Sequence, residues 1–291
     1  MLDPLVQIEE GVRYQKLGMH EEALAQFRGV ADRADDPALI GTAVCREAHL
    51  YRAWCKWDEA IAAARRSAAI ALSHRLDELY AEALNAEAIV HQERGAFDDA
   101  VTLYEIVARM RVSDRLRGVV FQNLGSIAAQ RADLAAASGY YRDSQRCFAR
   151  AGYRWGEAFA LTNRAALAID SGHPKEGEVL ARQAVVAGKK IGDLELLGAA
   201  LGNVAEALAA QGGMDEAEEL ARESLRYFEM EENDLWRARG LRALADILLL
   251  RGDRAEAGKL YALALDLAQQ AGADREVSRI RDSMETLGSA A

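Results

Sequence analysis

Three asparagines recur at a fixed interval, and their type and spacing suggest binding chemistry. Asn123, Asn163 and Asn203 are separated by 40 residues each. An asparagine amide offers both a donor and an acceptor, the combination needed to hold an extended peptide backbone without reading its side chains. We therefore expect the three residues to form a ladder along one surface. The alternative is that each asparagine bonds a neighbouring helix or water.

Further residues fall beside this ladder if the segments that carry them are helical, because residues three or four apart share a helix face. We take the whole set as the candidate partner-binding surface. The alternative for any single member is a solvated helix face whose ion pairs contribute little. One turn towards the following segment lie Ser126, Glu206 and Asp246; one turn the other way lie Phe159 and Arg239; adjacent lie Arg46, Gln122, Thr162 and Arg242.

Residues that could carry catalytic or metal chemistry are present, but without the spacing that such chemistry needs. The five histidines contain no i, i+4 pair, and the three cysteines contain no Cys-x-x-Cys. No Gly-x-x-x-x-Gly-Lys loop is present to hold a nucleotide phosphate. We therefore expect no catalytic residues, no metal ligands and no cofactor, and we expect that the protein is not an enzyme.

Composition narrows the classes of partner and compartment. Acidic residues number 46 against 36 basic ones, which gives a net charge of −10 and disfavours nucleic-acid binding. No basic-then-apolar leader opens the chain, and no apolar run is long enough to span a bilayer. The odd, widely spaced cysteines fit a reducing compartment. We expect a cytoplasmic protein that does not bind a membrane.

The elements that must position the ladder are paired helices, because one short sequence motif recurs along the whole chain. A small turn residue is followed five positions later by alanine or glycine, and four positions after that by an aromatic residue or alanine. The intervals between turn residues are 37, 40, 37, 40, 40 and 40, and a period of that length predicts stacked helix hairpins. The turn residues are Gly18, Cys55, Gly95, Ala132, Gly172, Gly212 and Gly252.

The repeats predict an all-α fold: one right-handed superhelical solenoid of about seven helix-turn-helix repeats with a C-terminal capping helix. We expect a single domain over 1–291, with no interior linker. In the cap, Val277, Ile280, Met284 and Leu287 share an apolar face, and Glu276 is assigned to the charged face. The predicted repeats are 4–36, 37–75, 76–113, 114–152, 153–192, 193–232 and 233–272, and the cap is 273–288.

With this motif and period, the chain resembles the tetratricopeptide repeat family over essentially its whole length. It is most similar to the branch with repeats of about 40 residues, which includes the kinesin light chain, the Gly-Asn-Leu-Gly adaptor and bacterial regulatory solenoids. The resemblance implies a binding scaffold whose first helices line a concave groove, with the asparagines holding a peptide. Cys55 and Ala132 replace the usual turn glycine, and Gly177 replaces the small alanine. We expect local distortion in those repeats.

Three functions are compatible with such a scaffold. The first is an interaction adaptor that binds a peptide or a partner helix of another protein in the groove. The second is a ligand- or peptide-responsive sensor module of a bacterial regulatory system. The third is a structural protein that assembles with copies of itself. The sequence favours the first and leaves the identity of the partner open.

Overall fold

In the part of the chain that the structure describes, every helix except the last is one member of an antiparallel pair. The structure is a computed structural model that describes residues 3–230 and 233–289. Within those ranges it contains fifteen α-helices and no strand, which confirms the predicted helical repeat solenoid. Residues 231 and 232, at the end of the predicted sixth repeat, lie outside the described residues.

The chain divides into two compact units, Met1–Ala151 and Gly152–Ala291. The expectation of one continuous domain stays a prediction. The helices of the first unit are α1 Pro4–Lys16, α2 His20–Ala31, α3 Pro37–Ala53, α4 Trp57–Ser73, α5 Asp77–Glu93, α6 Phe97–Arg109, α7 Asp114–Gln130 and α8 Leu134–Arg150. Those of the second are α9 Arg154–Asp170, α10 Pro174–Ile191, α11 Leu194–Ala210, α12 Met214–Met230, α13 Asp234–Arg251, α14 Arg254–Gln270 and α15 Asp274–Ser289.

Helix boundaries follow from capping chemistry that the sequence announces. Asp3 and Asp36 each precede a proline, and each carboxylate accepts a hydrogen bond from the backbone N–H two residues further on. The proline then occupies the first helical position, where its missing N–H costs nothing. None of the helices in the described part of the chain has the length and apolar character that a membrane span requires.

The two helices of each repeat pack closely at the small residue of the motif, five positions after the turn residue. The alanines at this position are fully buried, and the aromatic residue or alanine one turn later is buried as well. Gly177 takes the same place in α10, where a β-carbon would lie 2.5 Å from Cγ1 of Ile169. The larger side chain of the partner helix therefore fills the space. The buried alanines are Ala23, Ala60, Ala100, Ala137, Ala217 and Ala257.

The expected distortion at the substituted turns does not appear in the helix bounds. Cys55 and Ala132 have φ angles of 55° and 58°, the same left-handed region that the turn glycines occupy. The helices on both sides of each turn are 17 residues long. The two residues keep the geometry of the turn and bear its conformational cost, because a β-carbon disfavours this region.

Ala132→Gly is therefore expected to stabilise the protein by about 0.5–1 kcal/mol, because relief of left-handed strain exceeds the added chain entropy of glycine. Urea unfolding followed by circular dichroism measures the change. The matched control is Ala62→Gly, at an exposed position inside α4 of the same unit, where glycine costs about 1 kcal/mol. A loss of stability in both variants would contradict the prediction.

Alternate repeats share a buried hydrogen bond between their two helices that the sequence did not reveal. A serine in the second helix of repeats two, four and six donates its Oγ–H to the carbonyl oxygen of a glycine in the first helix. All three serines are buried. The pairs are Ser67 with Gly41 at 2.8 Å, Ser144 with Gly118 at 2.8 Å, and Ser224 with Gly198 at 2.7 Å.

The intervening repeats carry apolar side chains at the corresponding positions. Alanine replaces the glycine, and valine or alanine replaces the serine, so only van der Waals contact joins these helices there. All six residues are buried. The pairs are Ala81 with Val107, Ala158 with Ala184, and Ala238 with Ala264.

Ser67→Ala is expected to lower the free energy of unfolding by about 1 kcal/mol, the usual net contribution of one buried hydrogen bond. Ser73→Ala in the same helix is the control, because the Ser73 hydroxyl is exposed and donates to the Ala69 carbonyl oxygen of its own helix. Chemical denaturation of both variants measures the difference. Equal effects would show that the Ser67–Gly41 bond contributes nothing.

Candidate functional site

The second unit contains a cavity of about 520 Å³ that is lined by residues of five helices. Its walls come from α9, α11, α13 and α15, with Phe228 and Ser224 supplied by α12. Five of the predicted surface residues line this cavity: Asn203, Glu206, Arg239, Arg242 and Asp246. The sequence therefore identified a substantial part of its polar wall.

The cavity exists because the helices around it carry small residues on the facing side. Gly202 on α11 and Ala243 on α13 leave space that larger side chains would fill, whereas the Phe228 ring already occupies the space beside Gly198 and Gly240. A β-carbon at Gly198 would lie 2.6 Å from Cε1 of Phe228. The aromatic ring thus closes the base of the cavity by packing directly on the glycine backbone.

A network of charged residues fixes one wall. The Arg242 guanidinium donates from Nε to Glu276 Oε1 at 2.9 Å and from an η-nitrogen to Asp246 Oδ2 at 2.8 Å. The other carboxylate oxygen of Asp246 accepts from the Tyr261 hydroxyl at 2.6 Å. Such a network is rigid because each of these donors and acceptors has a partner.

Glu276 is the centre of this network, and its burial corrects the sequence interpretation. We assigned it to the charged outer face of the cap, yet the residue is only 4% exposed. Its second oxygen contacts Nε of Arg239 at 3.4 Å, and the Arg239 guanidinium also lies 4.6 Å from the centre of the Trp236 ring. The cap therefore contributes a buried charge as well as an apolar face.

Glu206, unlike Asp246 and Glu276, forms no hydrogen bond or salt bridge with any described residue. It is half-buried and lines the cavity beside Asn203. Burial raises the pKa of Glu206, and the nearby charges of Asp246 and Asp170 add to that effect, while Arg242 opposes it. Desolvation lowers the pKa of Arg239, whereas the neighbouring carboxylates outweigh desolvation and raise that of Arg242.

Glu206→Gln is expected to stabilise the protein at neutral pH, with a gain that disappears in acid. The pKa of Glu206 in the folded protein is raised above its ordinary value of 4.5. At pH values above the folded pKa, the ionised carboxylate therefore destabilises the folded state. Below the unfolded value both states are protonated and the penalty vanishes. Urea unfolding between about pH 4 and pH 8 measures this, with a difference that grows as pH rises.

The control for that measurement is Glu219→Gln, which removes an exposed carboxylate of α12 in the same unit. Its effect on stability is expected to be small throughout the range. A Glu206→Gln difference that stays constant with pH would show that the carboxylate pays no burial penalty.

The predicted asparagine ladder is partly used inside the protein. Asn203 donates from Nδ2 to the Thr162 carbonyl oxygen at 2.8 Å, which joins α11 to α9. Its Oδ1 has no partner among the described residues. The Asn163 amide is half-buried and makes no hydrogen bond within the described part of the chain. In the first unit, burial raises the pKa of Tyr104, and the side chain of Asn123 is close enough to oppose that effect.

Two predicted surface residues are buried and do not belong to an exposed strip. Gln122 is 7% exposed, and its Oε1 accepts from Ser144 Oγ at 3.2 Å. Thr162 is 5% exposed, and its hydroxyl donates to the Ala158 carbonyl oxygen of the preceding turn. Both side chains satisfy internal partners, so they are removed from the candidate contact surface.

The remaining three predicted residues lie outside the cavity. Phe159 stacks on Trp155 with ring centroids 5.0 Å apart, and the Trp155 indole donates to Asp193. Ser126 accepts a hydrogen bond from Gln130 in its own helix, and Arg46 is exposed on α3. Sequence reasoning missed Phe228 and Trp236 as cavity residues and Glu276 as the buried partner of Arg239 and Arg242, because no repeated motif marks them.

Comparison with known proteins agrees with this architecture. A family model described as tetratricopeptide repeat matches residues 196–270, which cover α11 to α14 and most of the cavity. No curated protein matches the sequence. Within the described ranges, no group of three or more histidine, cysteine or acidic residues is arranged to hold a metal ion.

Solved structures share the fold at low sequence identity. A Rap protein in complex with competence and sporulation factor is 13% identical over 96% of this chain and 80% of its own, with a TM-score of 0.69. The apo form of RapI is 11% identical over 96% of this chain and 100% of its own, with a TM-score of 0.71. A signal transduction ATPase from Pyrococcus horikoshii with a tetratricopeptide repeat sensor is 16% identical over 95% of this chain and 44% of its own, with a TM-score of 0.68.

Proposed function

We propose that this tetratricopeptide-repeat-like chain is a protein-interaction module that binds a peptide segment of another protein in the cavity of its second unit, without catalysis. The supporting observation is that the polar groups on one wall of the cavity are bonded to charged partners, whereas those on another wall are not. Arg242 bonds both Asp246 and Glu276, whereas neither Glu206 nor the side-chain oxygen Oδ1 of Asn203 has a hydrogen-bond partner among the described residues. Unpaired polar groups in a concave site are what a ligand recognises.

The size of the cavity fits a short peptide stretch better than a whole helix. Its volume of about 520 Å³ falls within the range of sites that enclose a small ligand or a few side chains. The backbone N–H of an extended segment would donate to Asn203 Oδ1, which lines the cavity. That contact would hold the segment without reading its side chains.

The neighbours in fold are consistent with this proposal. The Rap protein is in complex with competence and sporulation factor, and the ATPase carries a tetratricopeptide repeat sensor. Both statements concern those proteins. For this chain they support a role in recognition, at identities that establish only the fold.

A sensor function is the second candidate, and the position of α15 favours it. Arg279, Asp282 and Ser283 of this helix line the cavity together with residues of α11. A ligand that contacts both helices would bind the seated arrangement of α15 more tightly than an unseated one. Such differential binding is the requirement for a ligand to shift a conformational equilibrium.

Blocking the cavity tests the proposed function. Ala199 is half-buried on α11 and faces the cavity, so Ala199→Phe places a ring inside it. Ala210→Phe adds the same ring at an exposed position at the end of α11. A photo-crosslinker at Asp282, on the rim, would capture bound segments, which mass spectrometry then identifies.

We expect Ala199→Phe to abolish a defined set of crosslinked segments and Ala210→Phe to retain it. Capture that is the same in both variants would show that partners do not use the cavity. Hydrogen exchange of α15 with and without the captured segment, made synthetically, separates the two candidates. Slower exchange throughout α15 supports the sensor, and unchanged exchange supports a plain adaptor.

A further inference from the structure

We infer that the cavity selects a peptide by a cationic nitrogen, which the Glu206 carboxylate and the side-chain oxygen Oδ1 of Asn203 bind together. The nitrogen belongs to a lysine or arginine side chain or to the N-terminal amine of the segment. This inference rests on the proposed function and names the chemistry that the same site recognises.

The first step is that two of the three arginines that line the cavity, Arg239 and Arg242, already have carboxylate partners. Arg242 bonds both Glu276 and Asp246 and has a side chain only 18% exposed. Arg239 contacts Glu276 and lies over the Trp236 ring. An anionic ligand would have to displace a carboxylate that is 4% exposed and held by two guanidinium groups. We therefore treat Arg239 and Arg242 as structural residues and not as groups that bind an anionic ligand.

The second step is that the unpaired charge in the cavity is mostly negative. Glu206, Asp170 and Asp282 line the cavity, and none of them has an ion-pair partner among the described residues. Of the guanidinium groups lining it, only Arg279 is in the same position within those residues. Unpaired carboxylates thus outnumber unpaired guanidinium groups, and a positive charge in the ligand completes the balance.

The third step is that Glu206 and Asn203 present acceptors side by side. They are three residues apart on α11, so both point to the same face of the helix. The amide nitrogen of Asn203 is committed to the Thr162 carbonyl, which turns its oxygen away from that bond. An ammonium or guanidinium group carries several donors and no acceptor, and it matches two adjacent acceptors.

The fourth step is that the surroundings strengthen this preference. Glu206 is half-buried, and Asp246 on α13 and Asp170 on α9 face it, with Arg242 and Arg279 as the opposing charges. The pKa of Glu206 is raised by this environment, so the unliganded carboxylate is in an unfavourable site. A cation relieves both the burial and the repulsion, and we expect affinity for it to fall as pH drops and Glu206 is protonated.

The probes are capped alanine pentapeptides that differ only in the central residue: lysine, arginine, norleucine or glutamate. Norleucine keeps the length of lysine and removes its charge. A fifth peptide has norleucine at the centre and an uncapped N-terminal amine, so that a terminal cation is tested separately from a side-chain cation. Each is titrated into the full chain, and the backbone amide shifts of α11 give the dissociation constant.

We expect the lysine or arginine peptide, or the uncapped peptide, to bind at least about ten-fold more tightly than capped norleucine. Glu206→Gln should remove that preference. Glu219→Gln, which deletes one exposed negative charge from the same unit, should keep it. The size of the preference should also decrease in acid.

Equal affinity for the lysine, norleucine and glutamate peptides would overturn the inference while leaving peptide binding intact. A preference that survives Glu206→Gln would overturn it as well, since the charge would then be read elsewhere. If no peptide shifts α11 amides at millimolar concentration, the inference fails, and the crosslinking experiment alone decides the proposed function.

Discussion

Replacing Phe228 with alanine is expected to lower the free energy of unfolding by about 3–5 kcal/mol, the usual cost of removing a buried aromatic ring. The Phe228 ring is 3% exposed and stacks on Trp236 with centroids 5.4 Å apart. It also fills the space that two glycines leave, since β-carbons at Gly198 and Gly240 would lie 2.6 Å and 3.0 Å from its atoms. The backbone of both helices limits how far the void can close.

Hydrogen exchange is the suitable measurement, because two compact units need not unfold together. Protection should fall in α11, α12 and α13 and stay unchanged in the first unit. Met230→Ala is the control, because this residue ends the same helix and is 67% exposed. A loss in Phe228→Ala no larger than in Met230→Ala would show that the ring is not a packing centre.

The contact with Gly198 can be tested separately by a double-mutant cycle. Gly198→Ala alone should destabilise by about 1–3 kcal/mol, because its methyl group meets the ring. In a Phe228→Leu background the same change should cost much less. A coupling of roughly 0.5–3 kcal/mol is typical of residues in direct contact. No coupling would mean that the helices shift apart instead.

Glu276→Ala is expected to destabilise the seating of α15 by about 3 kcal/mol, because removing one member of a buried ion pair leaves its partner uncompensated. Arg242 is the partner most affected, with a side chain 18% exposed. Asp246 still bonds it, and this residual pair keeps the loss at the lower end of the usual range.

Exchange of the α15 amides measures this effect directly. Glu285→Ala is the matched control, an exposed glutamate on the same helix, for which we expect a change within about 0.5 kcal/mol. Similar exchange in the two variants would show that the apolar residues Val277 and Ile280 alone seat the helix. That outcome would also remove the fixed wall from the proposed site.

Much of the fold could be predicted because the turns impose a chemical requirement at a regular interval. A left-handed residue must end each first helix, and glycine meets that requirement at Gly18, Gly95, Gly172, Gly212 and Gly252. Cys55 and Ala132 were still recognisable, because the alanine and the aromatic position that follow remain in place. Periodicity thus located the turn even where its usual residue was absent.

The site could be predicted only in part, because a helical repeat gives the direction of a side chain but not its partners. Glu206 and Asp246 share a face of the array, yet one is unpaired and the other is bonded to Arg242 and Tyr261. Gln122 lies next to Asn123 in the sequence, but a rotation of one residue, about 100°, places it in the core. Glu276 required knowledge of what α13 presents to the cap.

The serine–glycine bonds that join alternate helix pairs have a mechanical consequence. In repeats two, four and six this bond fixes the axial register of the two helices at one buried point, whereas repeats three, five and seven have only apolar contacts at the same point. Directional and non-directional contacts therefore alternate at this position of the hairpins. Under load or during ligand-driven adjustment, we expect the hairpins of repeats two, four and six to keep their register at this point and to move as blocks.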